Sequence, residues 1–421
     1  MPAEKSAPRL FFHSAAKIGI ALLAVLLHLF GVSAQDTVWE KPFIGSDRTL
    51  LFYPDQNAVY LRYAWVNRPN LVVEIKGNLP EARYFSFNTY NDYTKSSIAA
   101  LADHQILPDA ADPTHYTIYI STIAAHRNRP NTITVPDTVK VVSVFLRYYL
   151  PRGNCNANVP LPAIQMEDHR RVDIPVLPSV APPALSGADI ENLKATIADQ
   201  PELLSMSEKQ QLASSSVPAG QKERLISKVF TMPIFRHFTN PEKISAYNFR
   251  TDGNYPNKDN HYIVMPVLYQ KKSVLVVRFR APTHASVLGD TLANVRYYSL
   301  SQGNEYTNTS VTMHDEQLKI SPDGFVYVAV ADDTKAVREK AIALGINFMP
   351  WLSKDKLVLI LRHMLPNAGF NYSINEVPVF DNSKPAKGQV ASAYIGEYAL
   401  IGKFFSKSGW TTISGLQQFG F

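Results

Sequence analysis

Six short segments in the first half of the chain recur in the same order in the second half, and such a duplication restricts the fold more than any other feature of the sequence. The first set is Asn57-Ala58-Val59-Tyr60, Leu71-Val72-Val73-Glu74-Ile75, Arg83-Tyr84-Phe85-Ser86, Pro108-Asp109, Tyr116 to Ile120, and Val144-Phe145-Leu146-Arg147 with Leu150-Pro151. The second is Asn260-His261-Tyr262, Leu275-Val276-Val277-Arg278-Phe279, Arg296-Tyr297-Tyr298-Ser299, Pro322-Asp323, Phe325 to Val330, and Leu359-Ile360-Leu361-Arg362 with Leu365-Pro366. The offset grows from 202 (Tyr60 to Tyr262) through 213 (Arg83 to Arg296) to 215 (Arg147 to Arg362), as when strands are kept and loops lengthen.

The repeated unit reads as β-structure. Tyr116, Ile118 and Ile120 alternate with Thr117, Tyr119 and Ser121, the period of a half-buried strand. Val139 to Leu150 is apolar on both faces, as in a strand covered on both sides. With 29 prolines and 19 glycines among 421 residues, the chain suits many short strands joined by stiff turns. The expected fold is mainly β: two tandem antiparallel β-sandwich or jelly-roll domains, at 35–171 and 231–382, joined by a proline-rich and helical linker at 172–230. In that linker Ile190, Leu193 and Ile197 recur at helical spacing, and a helical insertion is expected at Thr334 to Leu344, ended by Gly345. Beyond Asn382 the repeat stops, and residues 383–421 read as an aromatic tail packing on the body. The terminal Phe421 is preceded by no alternating apolar pattern of the kind a membrane barrel strand requires.

Lys5, Arg9 and Lys17 precede an apolar run from Ile18 to Phe30 and the small residues Val32-Ser33-Ala34, which reads as a signal peptide at 1–34. A periplasmic or secreted location is expected, with membrane contact only if that segment stays uncleaved. Its removal takes away three cations and Glu4, lowering the net charge from +6 to +4, too little and too dispersed to argue for nucleic acid. Cys155 is the single cysteine, so no intrachain disulfide can form.

Three features together resemble the bacterial domain-of-unknown-function family numbered twelve-fourteen: Phe85-Ser86 with Tyr90, the Asp-containing hairpin Pro108-Asp109 to Ser121, and the closing run Leu146-Arg147 with Tyr149 and Pro151. The likeness covers about residues 50–165 and recurs over 255–375. The tryptophan that the family places before the serine is Phe85 here and Tyr298 in the second copy. The resemblance implies a β-sandwich or jelly-roll domain, often exported, and no particular reaction.

Signatures of nucleophile elbows, zinc helices, paired Cys-x-x-Cys and dinucleotide loops are lacking. Ser353 with Lys356 forms a nominal Ser-x-x-Lys pair at a strand entry. Arg147 and Arg362, kept in both copies within apolar strands, are expected to act as structural clamps on Asp109 and Asp323. Asp103, His104 and Asp109 are the candidate catalytic residues, with Asp112 and His115 as neighbours; His314-Asp315 is the corresponding pair in swapped order. Asn88, Tyr90, Asn91, Asp92 and Tyr93, echoed at Asn304, Tyr306 and Asn308, pair aromatic faces with amides and a carboxylate, as a sugar-like ligand requires. Arg127 and Arg129, beside His126, suit an anionic group. The sequence names no cofactor or dedicated metal site. Its leading reading is a non-catalytic exported protein that binds a small or carbohydrate-like ligand or a partner; the alternatives are a metal-dependent or acid/base hydrolase and an assembly protein.

Overall fold

The computed structural model describes residues 38–45, 53–152, 161–168, 172–180, 204–214, 249–251, 255–285, 292–304, 309–352, 356–381 and 386–421, with single positions between them. The expected signal segment, Cys155, Ile190, Leu193, Ile197, Tyr306, Asn308 and Ser353 lie outside the described residues.

The first half holds β1 (Phe43–Ile44), β2 (Ala58–Val66), β3 (Leu71–Asn78), β4 (Ala82–Asn91), β5 (Ser96–Ala102), β6 (His115–Ser121), β7 (Thr132–Thr134), β8 (Val141–Pro151), β9 (Ala163–Asp168) and β10 (Asp173–Ile174). The second holds β11 (Phe249–Thr251), β12 (Asn260–Leu268), β13 (Ser273–Arg280), β14 (Tyr297–Asn304), β15 (Thr309–His314), β16 (Phe325–Ala331), β17 (Asn347–Pro350), β18 (Lys356–Met364) and β19 (Ile401–Ser406).

Strand order repeats with the sequence. One sheet of the first half runs β1-β2-β8-β4-β5 and its counterpart β11-β12-β18-β14-β15; the other runs β10-β9-β3-β6-β7, matched by β19-β13-β16-β17. The parallel pairing of β6 with β7 also recurs, as β16 with β17. Register fixes the equivalences: Arg147 lies opposite Tyr60 and Ser86, as Arg362 lies opposite Tyr262 and Ser299. Left-handed backbone, uncommon away from glycine, also recurs at matched sites, with φ of 52° and 50° at Tyr53 and Tyr255, 59° and 63° at Asn70 and Lys272, and 47° and 43° at Leu150 and Leu365. The turn at Asn70 and Lys272 places Val73, rather than Leu71, level with Leu275.

Each half buries its own core between its two sheets. Val59, Leu61, Val73, Ile75, Phe87, Ile118, Ile120, Val144 and Leu146 fill the first; Ile263, Met265, Leu275, Val277, Leu300, Val328, Leu359 and Leu361 fill the second. The alternation read in β6 holds, with Tyr116, Ile118 and Ile120 in the core. β8 is the central strand of its sheet and is buried on both faces, because its second face meets the other half of the molecule. Tyr60, Tyr84 and Tyr149 share a buried cluster there with Tyr297 and Met364.

Two expected boundaries move. Residues 172–180 belong to the first sandwich: β10 pairs with β9, and the Ser179 and Val180 amides donate to the Val38 and Ala64 carbonyls. The tail is no appendage either, since β19 pairs with β13 as β9 pairs with β3 and so completes the second outer sheet. Beyond β19, Trp410, Ile413 and Phe419 are buried in the second core. The expected insertion helix is Lys335–Ala343, capped by the Thr334 hydroxyl and followed by Gly345 at φ 73°. In the connection, helix Met206–Ala213 opens on a capping box of Ser205 and Glu208. No helix among the described residues is long and apolar enough to cross a membrane.

Candidate functional site

Two places gather polar chemistry: the seam between the halves and the outer face of the sheet containing β3, β6 and β9.

The seam is built by two arms that cross over. Residues 53–57, leading into β2, lie on the β14–β18 surface of the second half. Arg362 donates to the Tyr53 carbonyl at 2.7 Å, and Tyr53 Oη donates to the Asn304 carbonyl at 2.8 Å. Tyr297 Oη and Ser299 Oγ both donate to Asp55 Oδ2, at 2.9 and 2.8 Å. Residues 255–259, leading into β12, return the exchange on the β4–β8 surface. Arg147 donates to the Tyr255 carbonyl at 2.9 Å, Tyr255 Oη to Asp92 at 3.0 Å, and Tyr84 Oη to Asp259 at 2.7 Å. Crossed ion pairs close the seam: Arg296 holds Asp103 at 3.1 Å, and Arg83 holds Asp315 and Glu316.

These contacts correct several sequence expectations. Arg147 and Arg362 are clamps, but their partners are the arms of the opposite half, not Asp109 and Asp323, which accept from Thr117 and Tyr327. Register sets Ala102 opposite Ser86 and His314 opposite Ser299, so Asp103 matches Asp315 and the pairs are not swapped copies of each other. Each aspartate accepts the backbone amide before its repeated serine, that of Phe85 or of Tyr298.

Asp103 is therefore committed to Arg296 and the Phe85 amide. No hydrogen bond joins it to Asp109 among the described residues, and His104 is largely exposed beside it. Within the proposed ligand cluster, Asn88, Tyr90 and Asp92 are buried in the seam. Asn88 Nδ2 donates to Ser86, Tyr90 Oη donates to the Pro256 carbonyl while accepting from Arg147, and Asp92 pairs with Arg62 at 2.7 Å. Asn91 caps the following turn, accepting from the Tyr93 and Thr94 amides, and Tyr93 is exposed.

Electrostatics in the seam follow from burial against partner charge. Burial alone raises the Asp315 carboxyl, but the His314 hydrogen bond and the Arg83 guanidinium outweigh it and hold the group below the usual carboxylate range. At Asp259 burial wins over the Tyr84 hydrogen bond, and the carboxyl sits above that range. His284, Asp315 and Glu316 bring potential ligand atoms within 4.8 Å of one another, but Arg83 already supplies the cation for both carboxylates. Ser299 donates to Asp55 with no imidazole between them, so the pair is no Ser-His-Asp relay. His363, the counterpart of Tyr148, is fully buried with both ring nitrogens unpaired, and burial pushes it down to about 3, so the ring is neutral.

The outer face is different in kind. Glu74 lies across from Tyr119 on one side and from Gln165 on the other. Lys76 follows on the same face and pairs with Glu74 at 2.6 Å. Arg129 stacks over Tyr119 at 4.6 Å, and His126 Nδ1 hydrogen-bonds Ser121 Oγ at 3.0 Å. Burial and the Arg129 cation together hold the His126 imidazole below its usual range. Asp109 joins this face through Thr117, and Arg127 is exposed in the adjoining short helix Ala124–Asn128. The structure thus gathers Asp109, Arg127 and Arg129 here and separates them from Asp103 and the Asn88–Asp92 cluster. Sequence reasoning missed Glu74, Tyr119 and Gln165 as site residues, and in the seam it missed Asp55, Tyr255 and Asp259. The Arg-Tyr pair kept at 83–84 and 296–297 was the available signal for the seam.

The two halves differ on this outer face, most at the positions of Glu74 and Tyr119. Positions equivalent to Glu74, Tyr119 and Gln165 are Val276, Ala329 and Lys403. There the last residues of the chain lie over the sheet: Phe421 stacks with Arg278, Phe419 meets Tyr327 and Phe405, and Lys403 donates to the Phe419 carbonyl.

No family model matches the chain, and no curated protein matches it significantly. Among solved structures, a putative uncharacterized protein from Burkholderia cenocepacia is similar over 96% of this chain and 91% of its own, with 12% identity and a TM-score of 0.52. The VPA0106 protein from Vibrio parahaemolyticus aligns over 92% of this chain and 96% of its own, at 10% identity and a TM-score of 0.37. The first likeness supports the mainly β fold along nearly the whole chain and carries no function with it.

Proposed function

We propose that the protein is an exported, non-catalytic binding protein that recognises a carbohydrate-like ligand bearing an anionic group through the outer face of its first sandwich. One observation carries this reading: in the second half Val276 and Ala329, the counterparts of Glu74 and Tyr119, are buried on a face over which the C-terminal residues lie, with Lys403 still exposed, whereas the first half leaves Tyr119 partly open and Gln165, Lys76 and Arg129 exposed. A partly open aromatic ring flanked by an amide, a carboxylate and guanidinium groups offers stacking, hydrogen bonding and charge pairing on one rigid sheet. Of the other candidates, Asp103, Asn88, Tyr90 and Asp92 are buried in the seam and engaged in contacts that hold it together. Resemblance to a domain-of-unknown-function family often found in exported proteins agrees with this reading and adds no ligand.

Retention of the mature protein on immobilised acidic glycans at low salt is the test. Tyr119→Ala is expected to abolish retention and Arg129→Ala to reduce it about tenfold, the equivalent of roughly 1.4 kcal/mol. The melting temperature should stay within a few degrees in both, since neither side chain belongs to the core. Unchanged retention in Tyr119→Ala, or no retention of the parent protein on any acidic glycan, rejects the proposal.

A further inference from the structure

The surface between the halves obeys the rule of an interface between two subunits. In a two-fold interface residue i of one subunit meets j of the other, and j meets i. Across this single chain Arg83 meets Asp315 while Arg296 meets Asp103. Arg362 takes the Tyr53 carbonyl while Arg147 takes that of Tyr255. Tyr297 donates to Asp55 while Tyr84 donates to Asn257 and Asp259. Every one of these contacts is non-covalent, and the residues that make them lie in the two sandwiches and their arms.

We propose that the seam is a self-sufficient recognition interface, in which the first half recognises the second as a separate protein would and in preference to a copy of itself. This goes beyond the ligand reading and does not depend on it. The preference follows from two places where the symmetry is broken. Tyr149 and Met364 occupy matched positions and share one buried cluster. Two first halves would bring two tyrosine rings into space that holds one ring and one thioether, and two second halves would underfill it. The arms carry their carboxylates in opposite order, Asp55-x-Asn57 against Asn257-x-Asp259. A pair of second halves would set Asn257 where Asp55 now faces Arg362, exchanging that carboxylate for an amide.

The experiment uses the full chain with a specific protease site inserted in the connection 181–203. After cleavage the two fragments are expected to elute together as one complex of the intact protein's size at micromolar concentration. The doubly charge-reversed Arg83→Glu/Arg296→Glu protein, cleaved in the same way, should dissociate at least tenfold more readily. Separation of the parent fragments, folded or not, overturns the proposal. Two cleaved batches with different tags on their first halves are then mixed, unfolded in urea and refolded. Capture by one tag should bring down second halves and almost none of the other tag. Cross-capture of the two tags in comparable amounts refutes the preference, and failure of the fragments to reassemble refutes self-sufficiency.

Discussion

Arg362→Ala is expected to destabilise the protein by about 3–5 kcal/mol, the loss that follows when one partner of a buried charged contact is removed. The side chain is 1% exposed and the Asp55 carboxylate 0%, with 3.9 Å between Arg362 Nε and Asp55 Oδ2. Arg362 also satisfies the Tyr53 carbonyl at 2.7 Å and reaches Ser301 Oγ. Truncation strands a carboxylate whose remaining donors are neutral: Tyr297, Ser299 and the Asn57 amide groups. Urea unfolding should show a lower midpoint with an unchanged slope. Adding Asp55→Asn should recover part of the loss, since the other arm already carries Asn257 at that position. A change under about 1 kcal/mol in Arg362→Ala, the level of an exposed ion pair, would contradict a buried seam.

Deletion of residues 407–421 should remove a comparable or larger share of stability from the second half. Trp410, Ile413 and Phe419 are each at most 7% exposed within that segment, and Phe419 stacks on Trp410 with rings 6.3 Å apart. Burial of side chains of this size contributes about 1.5–3 kcal/mol each, so their combined loss approaches the 5–15 kcal/mol that holds a typical domain folded. The shortened protein is expected to lose soluble expression or to be digested rapidly within β11 to β19. Trp410→Ala alone should cost about 3–5 kcal/mol. A shortened protein that melts within a few degrees of the parent would show that the segment merely decorates the sheet.

Much of the architecture was legible because it repeats. Strand spacing, the alternation in β6 and the two-faced apolar character of β8 each follow from periodicity within a few residues. The arms were not legible: Tyr297 and its acceptor Asp55 are 242 residues apart, and no local pattern records that they meet. Asn88, Tyr90 and Asp92 alternate along and just beyond β4 as a solvated strand face would, so they looked accessible; the other half of the molecule covers them. β19 was missed because Ile401-Gly402-Lys403-Phe404-Phe405-Ser406 does not alternate cleanly and is separated from β18 by a long insertion. Asp103 was recognised as special, but its role is set by Arg296, which only the folded chain brings near.

A double-mutant cycle on Arg83 and Asp315 tests the reciprocal seam most directly. Arg83→Met, Asp315→Asn and the double variant are compared with the parent by urea unfolding. Residues in contact show coupling of about 0.5–3 kcal/mol, and the buried position of this pair places the expected value in the upper half of that range. Effects that simply add, within about 0.5 kcal/mol, would mean that the two side chains do not meet and would contradict the crossed arrangement of the halves.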